Sequence, residues 1–224
     1  KEKEKEEAFY APLEFGTAGM RGIVGPGINR MNIYTVRQAT EGLARLIETY
    51  GEEAKKRGVA IAYDSRHFSP EFAMESARTL ATHGIKSYVF ESLRPTPELS
   101  FAVRHLHTFA GIMITASHNP AAYNGYKVYG EDGGQMPPKD ADALTAYVRQ
   151  VANPLELEVL DDEALEASGL VTIIGKDVDD AYLKEIKTVS VNPKLLSDVE
   201  GLSVVYTPLH GTGLMLVEKA LEQA

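Results

Sequence analysis

The sequence contains no cysteine, which excludes disulfides and thiolate metal sites and fits a reducing compartment. Positive charge is scarce: 23 Lys and Arg stand against 32 Asp and Glu, a formal net charge of -9. Nucleic acids and anionic membranes need a basic surface, so neither is expected as a partner. Any anion site must then be a local basic cluster working against the overall sign. No apolar run is long enough to span a bilayer, and the first residues lack the apolar stretch of a secretory signal. A cytoplasmic location is the resulting expectation. Several catalytic signatures are missing as well. Neither G-x-x-x-x-G-K-[ST] nor G-x-G-x-x-G occurs, which weakens ATP and dinucleotide readings. The G-x-S-x-G elbow and H-E-x-x-H are absent, and no carboxylate cluster reads as a complete metal site.

What is present is ordinary globular composition. The chain has 224 residues, 44% hydrophobic and 25% charged, enough for one or two domains with a real core. The charged run Lys1 to Glu7 reads as a solvated helix or lead-in. The chain begins at Lys1 rather than Met and stops at Ala224 inside a helical pattern, so a piece of a longer protein is expected.

Asn32 caps a segment in which Ile33, Val36, Thr40, Leu43 and Ile47 fall on one helix face. Val59 to Tyr63 reads as a buried strand. Ser69-Pro70 reads as an N-cap with proline at the first helical position, and Gly84 as the stop of that helix. Ile85 to Phe90 is strand-like, Thr96-Pro97 opens a helix through about His107, and Ala110 to Thr115 is a third buried strand. Gly125 to Tyr129 alternates like an exposed strand, and Glu131 to Gly134 is turn chemistry. Pro138 starts a helix to about Val151, and Asn153 to Gly175 reads as a peripheral hairpin or connector. Val178 to Ile186 reads as helix and Leu202 to Tyr206 as a new buried strand.

The alternation predicts an α/β fold with a mixed, largely parallel sheet flanked by helices, in residues 1–176. Residues 177–224 read as the beginning of a second, similar α/β domain. Parallel strands put their C-terminal ends on one sheet edge, where ligands bind in open α/β folds. That edge would receive Asp64-Ser65-Arg66-His67, Leu93-Arg94-Pro95-Thr96 and Ala116-Ser117-His118-Asn119, three polar loops suited to phosphate.

Phosphoryl transfer needs a nucleophile, cations over the phosphoryl oxygens, and a group to move a proton. Ser117 suits the first role, and a plain turn serine beside Asn119 and Pro120 is the competing reading. His118 is adjacent, and neighbouring side chains diverge, so it reads as poorly placed to deprotonate Ser117. It can act near a substrate or be structural. In Gly16-Thr17-Ala18-Gly19-Met20-Arg21-Gly22, glycine amides can crowd an anion while Arg21 grips phosphate through two donors. The alternative is a glycine-rich turn with a surface arginine. Lys127 follows soon after Ser117, as a phosphate clamp, a proton shuttle or a surface lysine. Asp64 and Arg66 read either as an orienting ion pair or as solvated loop residues.

These stretches together resemble the α-D-phosphohexomutases, the phosphoglucomutases and phosphomannomutases, over nearly all of residues 9 to 224. Phe15 to Gly22 is similar to that family's opening motif, Thr115 to Pro120 to its phosphoserine loop, and Asn124-Gly125-Tyr126-Lys127 to the partner that follows. Asp64-Ser65-Arg66, Arg94-Pro95-Thr96-Pro97 and Tyr206 to Gly211 match too, in wording nearest to bacterial glucose-type enzymes. The resemblance implies an isomerase of the intramolecular phosphotransferase type. Its phosphorylated Ser117 ligates Mg2+ and exchanges phosphoryl with glucose 1-phosphate through glucose 1,6-bisphosphate, giving glucose 6-phosphate. It implies catalytic roles for Ser117, His118, Arg21 and Lys127. Thr17, Gly19, Arg21, Asp64, Arg66, Asn119 and Lys127 are implied as phosphate- or substrate-binding residues.

The family's D-G-D-x-D-R metal loop and R-x-S-G-T-E-P clamp do not occur here, and its sugar-reading loop is expected to be missing as well. A chain ending at Ala224 is therefore expected to bind and turn over substrate poorly alone. Mannose and pentose phosphates remain open as substrates, and oligomeric state is not legible. A non-catalytic phosphosugar-binding module and a serine hydrolase are the readings of other classes.

Overall fold

The computed structural model describes residues 2–16, 19–192 and 203–223. In chain order its elements are α1 (Glu2–Phe9), β1 (Met20–Ile23), α2 (Ile33–Thr49), α3 (Glu52–Arg57), β2 (Val59–Tyr63), α4 (Ser69–Thr82), β3 (Ser87–Phe90) and α5 (Thr96–His105). There follow β4 (Ala110–Ile114), β5 (Tyr123–Tyr129), α6 (Pro138–Arg149), α7 (Asp162–Ser168), β6 (Val171–Ile174), α8 (Lys176–Thr188) and α9 (Leu214–Glu222).

The strands form one six-stranded sheet in the order β1-β5-β4-β2-β3-β6. β2, β3, β4 and β6 run parallel, while β5 is antiparallel to both of its neighbours, β4 and β1. The period-two geometry of a strand sorts the core into two layers. Val59, Ile61 and Tyr63 face α2, α4 and α6, among Leu43, Ile47, Phe72, Leu80 and Leu144. Ala60 and Ala62 face the other way, with Leu99, Ala102 and Val103 of α5 and Val178 of α8. Both faces are covered, so the central strands read as continuous apolar runs.

Local chemistry explains the helix starts. Asn32 accepts from the Tyr34 and Thr35 amides while Thr35 Oγ1 accepts from the Asn32 amide, a reciprocal cap. α4 departs from expectation: Ser69 is its first helical residue, and Phe68 before it takes the left-handed φ of 66°. The Ser69 hydroxyl is drawn away from capping because it donates to Asp64 Oδ1 at 2.8 Å.

Three further segments differ from the sequence expectations. β5 is not an exposed strand: β1 covers its outer edge and helices cover its face, so Tyr126 and Val128 are buried. Residues 153–175 are neither a hairpin nor a plain connector, because α7 leads into β6, which pairs in parallel with β3. Four β-branched residues, Val171-Thr172-Ile173-Ile174, suffice for an edge strand but are too few to show a period. Of the strand expected at Leu202 to Tyr206, Leu202 lies outside the described residues. Ser203 to Tyr206 takes no regular secondary structure, with Val205 98% exposed and no described strand beside it.

α8 packs against α5, and α9 against α8. Across the boundary expected at residue 176, the fully buried Arg94 donates from Nε and Nη2 to the two carboxylate oxygens of Asp179, at 2.7 and 2.9 Å.

Candidate active site

β2 and β4 end side by side, with Tyr63 in register with Ile114. Their C-terminal loops therefore meet at one sheet edge, and β5 begins there because it runs the other way. Ser117 sits in the loop after β4 with its side chain exposed. Its amide donates to Thr115 Oγ1 at 2.9 Å, and its φ is 54°, the left-handed region that a Cβ disfavours. Strain of this kind persists only where surrounding contacts dictate it, and it clusters at functional sites. The turn also reshapes the immediate neighbourhood. Alternation of side chains holds for extended backbone, and the left-handed residue breaks it. His118 Nδ1 consequently lies 3.4 Å from Ser117 Oγ, contrary to the expected divergence.

Arg66, from the loop after β2, reaches across to this turn. Nη1 donates to the carbonyls of Pro120 and Tyr123 at 2.9 and 3.0 Å. Nη2 donates to those of Ser117 and Asn119 at 2.7 and 2.5 Å. Nε faces Asp64 Oδ2 at 3.4 Å in an ion pair, while the four terminal N–H donors are engaged by the turn. The expectation of phosphate binding for Arg66 thus meets a guanidinium whose terminal nitrogens already hold loop carbonyls. Asp64 is committed likewise, accepting from the Arg66 amide and from Ser69 Oγ.

Arg21, on β1, donates from Nη1 to Asn119 Oδ1 at 2.8 Å, which brings a second guanidinium beside the serine loop. Lys127 lies on β5 opposite Met113. Burial, and secondarily the charge of Arg21, holds its ammonium below the usual lysine range. Of the glycines expected to cradle an anion before β1, Gly16 and Gly19 flank two residues that lie outside the described ones. The Gly16 and Gly19 amides donate to each other's carbonyls at 2.9 and 3.0 Å, so neither is aimed at a ligand. Thr17 lies outside the described residues. The Arg94 loop reaches the same edge, its amide donating to the Tyr63 carbonyl at 3.0 Å, but its guanidinium is buried against Asp179, Ser92 and Leu93.

A family profile described as phosphoglucomutase/phosphomannomutase, alpha/beta/alpha domain I, matches residues 12–154. The chain belongs to the phosphoglucomutase/phosphomannomutase family. It is 40% identical over 222 residues to a phosphoglucomutase of Staphylococcus saprophyticus, covering 99% of this chain and 39% of that protein. It is 41% identical over 220 residues to a Staphylococcus aureus phosphoglucomutase, covering 98% and 38%. The chain thus spans about two fifths of the length of the curated relatives it matches. The Paramecium phosphoglucomutase parafusin, solved in an open form, superposes with a TM-score of 0.65 over 95% of this chain and 42% of its own. At 16% identity it shows the shared fold alone.

Membership of the phosphoglucomutase/phosphomannomutase family raises the question of a metal. Mg2+ requires oxygen ligands in near-octahedral array. The titratable and charged groups beside Ser117 are His118, Arg66 and Arg21, and the nearby Thr115 Oγ1 and Asn119 Oδ1 already accept protein hydrogen bonds. No group of three or more His, Asp or Glu side chains suited to a metal occurs among the described residues. Beyond an oxygen that a phosphorylated Ser117 would offer, these residues do not make a Mg2+ site. No helix among them is long and apolar enough to cross a membrane.

Two contributors beyond the expected site residues emerge from this family member. Thr115 holds the Ser117 amide, and Asn124 Nδ2 ties Ser69 Oγ and the His67 carbonyl to the start of β5. A threonine two residues before a turn serine is the usual signal for such a hydroxyl bond. The Asn124 contacts span 55 and 57 positions and leave no local trace.

Proposed function

We propose that this chain carries the phosphoserine of a mutase that interconverts glucose 1-phosphate and glucose 6-phosphate. The observation that carries this reading is Ser117 itself, an exposed hydroxyl held at a left-handed φ of 54° between two arginine-bearing elements. With Ser117 phosphorylated, the Oγ–P bond breaks as a new O–P bond forms to the sugar's 6-hydroxyl. The hydroxyl proton passes to a base and ends on Oγ. The resulting glucose 1,6-bisphosphate turns over, Oγ attacks the phosphorus on carbon 1, and the Oγ proton goes to the departing sugar oxygen.

In this scheme Arg21 offsets charge on the travelling phosphoryl group. His118 Nδ1, 3.4 Å from Oγ, is placed to carry the serine's proton. Lys127, its pKa lowered by burial, takes the relay of the sugar hydroxyl's proton in this reading. Glucose is favoured over mannose and pentose phosphates by the staphylococcal phosphoglucomutases, and relative rates on glucose 1-, mannose 1- and ribose 1-phosphate in the intact protein decide it.

The phosphoserine is tested by incubating the intact protein with glucose 1,6-bisphosphate and mapping phosphopeptides by mass spectrometry. One added phosphate on Ser117, absent from Ser117→Ala, is the expected result. No phosphate on Ser117, or labelling of Ser117 by a fluorophosphonate instead, would end the proposal.

A further inference from the structure

The loop after β2 does more than approach the serine turn. Four carbonyls, those of Ser117, Asn119, Pro120 and Tyr123, converge on one guanidinium whose side chain is only 13% exposed. Hydrogen bonds from a charged donor are stronger than neutral ones, and a planar fork loses little freedom in making several at once. Behind Arg66 the arrangement is closed. Asp64 Oδ1 accepts from the Arg66 amide and Ser69 Oγ, and Ser69 Oγ accepts from Asn124 Nδ2. Asn124 Nδ2 also donates to the His67 carbonyl, which pins the far side of the loop. Ser69 and Asn124 are fully buried. The guanidinium is thus fixed from behind and grips the serine turn in front.

The direction of the Ser117 carbonyl fixes the backbone torsion that follows its Cα, and the Asn119 carbonyl fixes the chain one residue beyond His118. Holding both leaves the intervening backbone little room to relax from the left-handed conformation. We propose that Arg66 is a positioning residue that holds Ser117 in this conformation through the loop carbonyls, and thereby aims Oγ at the phosphoryl group. The aiming rests on the reading of Ser117 as the phosphoryl carrier; the grip on the loop does not.

Two measurements separate these parts. Arg66→Lys keeps the charge but presents one nitrogen, which cannot reach four carbonyls in four directions. In the intact, unphosphorylated protein, amide exchange at Asn119 and Tyr123 is expected to quicken at least about tenfold in Arg66→Lys, the loss of about one charge-assisted hydrogen bond. Those amides close turns to Ala116 and Pro120 within the gripped loop, while exchange in β2 and β4 should be unchanged. Unaltered exchange at Asn119 and Tyr123 would overturn the grip.

The second measurement is phosphoryl uptake from glucose 1,6-bisphosphate. The saturating rate is expected to fall about tenfold in Arg66→Lys, with the half-saturating concentration within about threefold of wild type. Added guanidinium should restore part of the rate in Arg66→Ala; should that variant fail to fold, Arg66→Lys carries the test alone. A raised half-saturating concentration with the saturating rate preserved would mean that Arg66 binds the sugar phosphate, and the positioning role would fall. If wild type takes up no phosphoryl group, the proposed function fails, and the exchange measurement still decides the grip.

Discussion

Gly19 shows how closely the site is fitted at the scale of single residues. Its φ is 112°, and a Cβ there would lie 2.0 Å from the Tyr126 carbonyl oxygen and 2.9 Å from Lys127 Cα. β1 can therefore lie against β5 beside Lys127 only with glycine at this position. Gly51 makes a useful contrast, with a φ of 83° but open space where a side chain would go. Gly51→Ala should cost about 1 kcal/mol from torsion alone, and Gly19→Ala about 2–3 kcal/mol because the clash adds to it. Urea midpoints of the two variants check this, and equal shifts would contradict the account. The glycine was legible in the sequence as a special backbone position, but its reason was not, because the contact is with a strand more than a hundred residues away. Arg66 shows the same limit. A loop arginine near a serine motif reads as a phosphate ligand, and only the tertiary position of four carbonyls reveals that its terminal nitrogens also hold the loop.

Between elements, the clearest electrostatic tie joins α2 to the end of α4. His83, the residue that closes α4, contacts Glu41 Oε2 through Nε2 at 2.7 Å and Glu48 Oε1 through Nδ1 at 3.0 Å. The hydrogen bond to Glu41 is the main reason that His83 is raised from 6.5, outweighing burial, and Glu48 adds to it. The same bond, helped by Arg45, holds Glu41 below 4.5. The histidine's contribution is thus complete below its unfolded pKa near 6.5 and fades as pH rises through the higher folded value. The Glu41 contribution is complete above about 4.5 and fades as pH falls through the lower folded value. Both are present together between about pH 4.5 and 6.5. Since the groups keep some access to water, His83→Gln should remove on the order of 1 kcal/mol at pH 6 and much less at pH 9. Chemical denaturation at the two pH values checks it, and an equal loss at both would refute the linkage. The helices themselves were legible: α2 announces its buried face and its Asn32 cap, and the apolar runs of β2 and β4 announce strands covered on both sides. β6 and the burial of β5 were not. An edge strand of four residues shows no period, and β5 is buried by β1, whose pairing no local pattern records.

For the molecule as a whole, the decisive question is how α8 and α9 are held to the sheet, and one buried cluster governs it. Arg94, between β3 and α5, is wholly enclosed and meets the Asp179 carboxylate of α8 with two hydrogen bonds while its guanidinium lies 5.4 Å from the Phe90 ring. Glu98 of α5 is equally enclosed; its oxygens have no hydrogen-bond partner among the described residues, and Oε2 stands 3.7 Å from Arg94 Nε. Two carboxylates facing one guanidinium cannot both ionise cheaply in so dry a place. Burial is the largest influence, followed by the neighbouring Asp179, and together they push Glu98 up to about 8 while Asp179 is held below 3.8. A proton on Glu98 relieves the repulsion, and the charge of Lys219 of α9 opposes it only weakly while helping to hold Asp179 ionised. A carboxyl raised from 4.5 to about 8 gives stability that is complete below its ordinary value and is lost as pH climbs through the folded value. Glu98→Gln mimics the protonated form, so it should flatten the fall in stability between about pH 5 and 8 and gain at least about 1 kcal/mol on wild type at pH 8. Asp179→Asn should act in the opposite sense, costing about 3–5 kcal/mol by leaving Arg94 buried without its charge partner. Denaturation curves across that pH range, with amide exchange in α8 and α9 followed in parallel, decide the matter. If Glu98→Gln keeps the wild-type pH slope, Glu98 does not hold the proton, and the attachment of α8 must rest on the Arg94–Asp179 pair and the apolar contacts of Val178 and Leu183 alone.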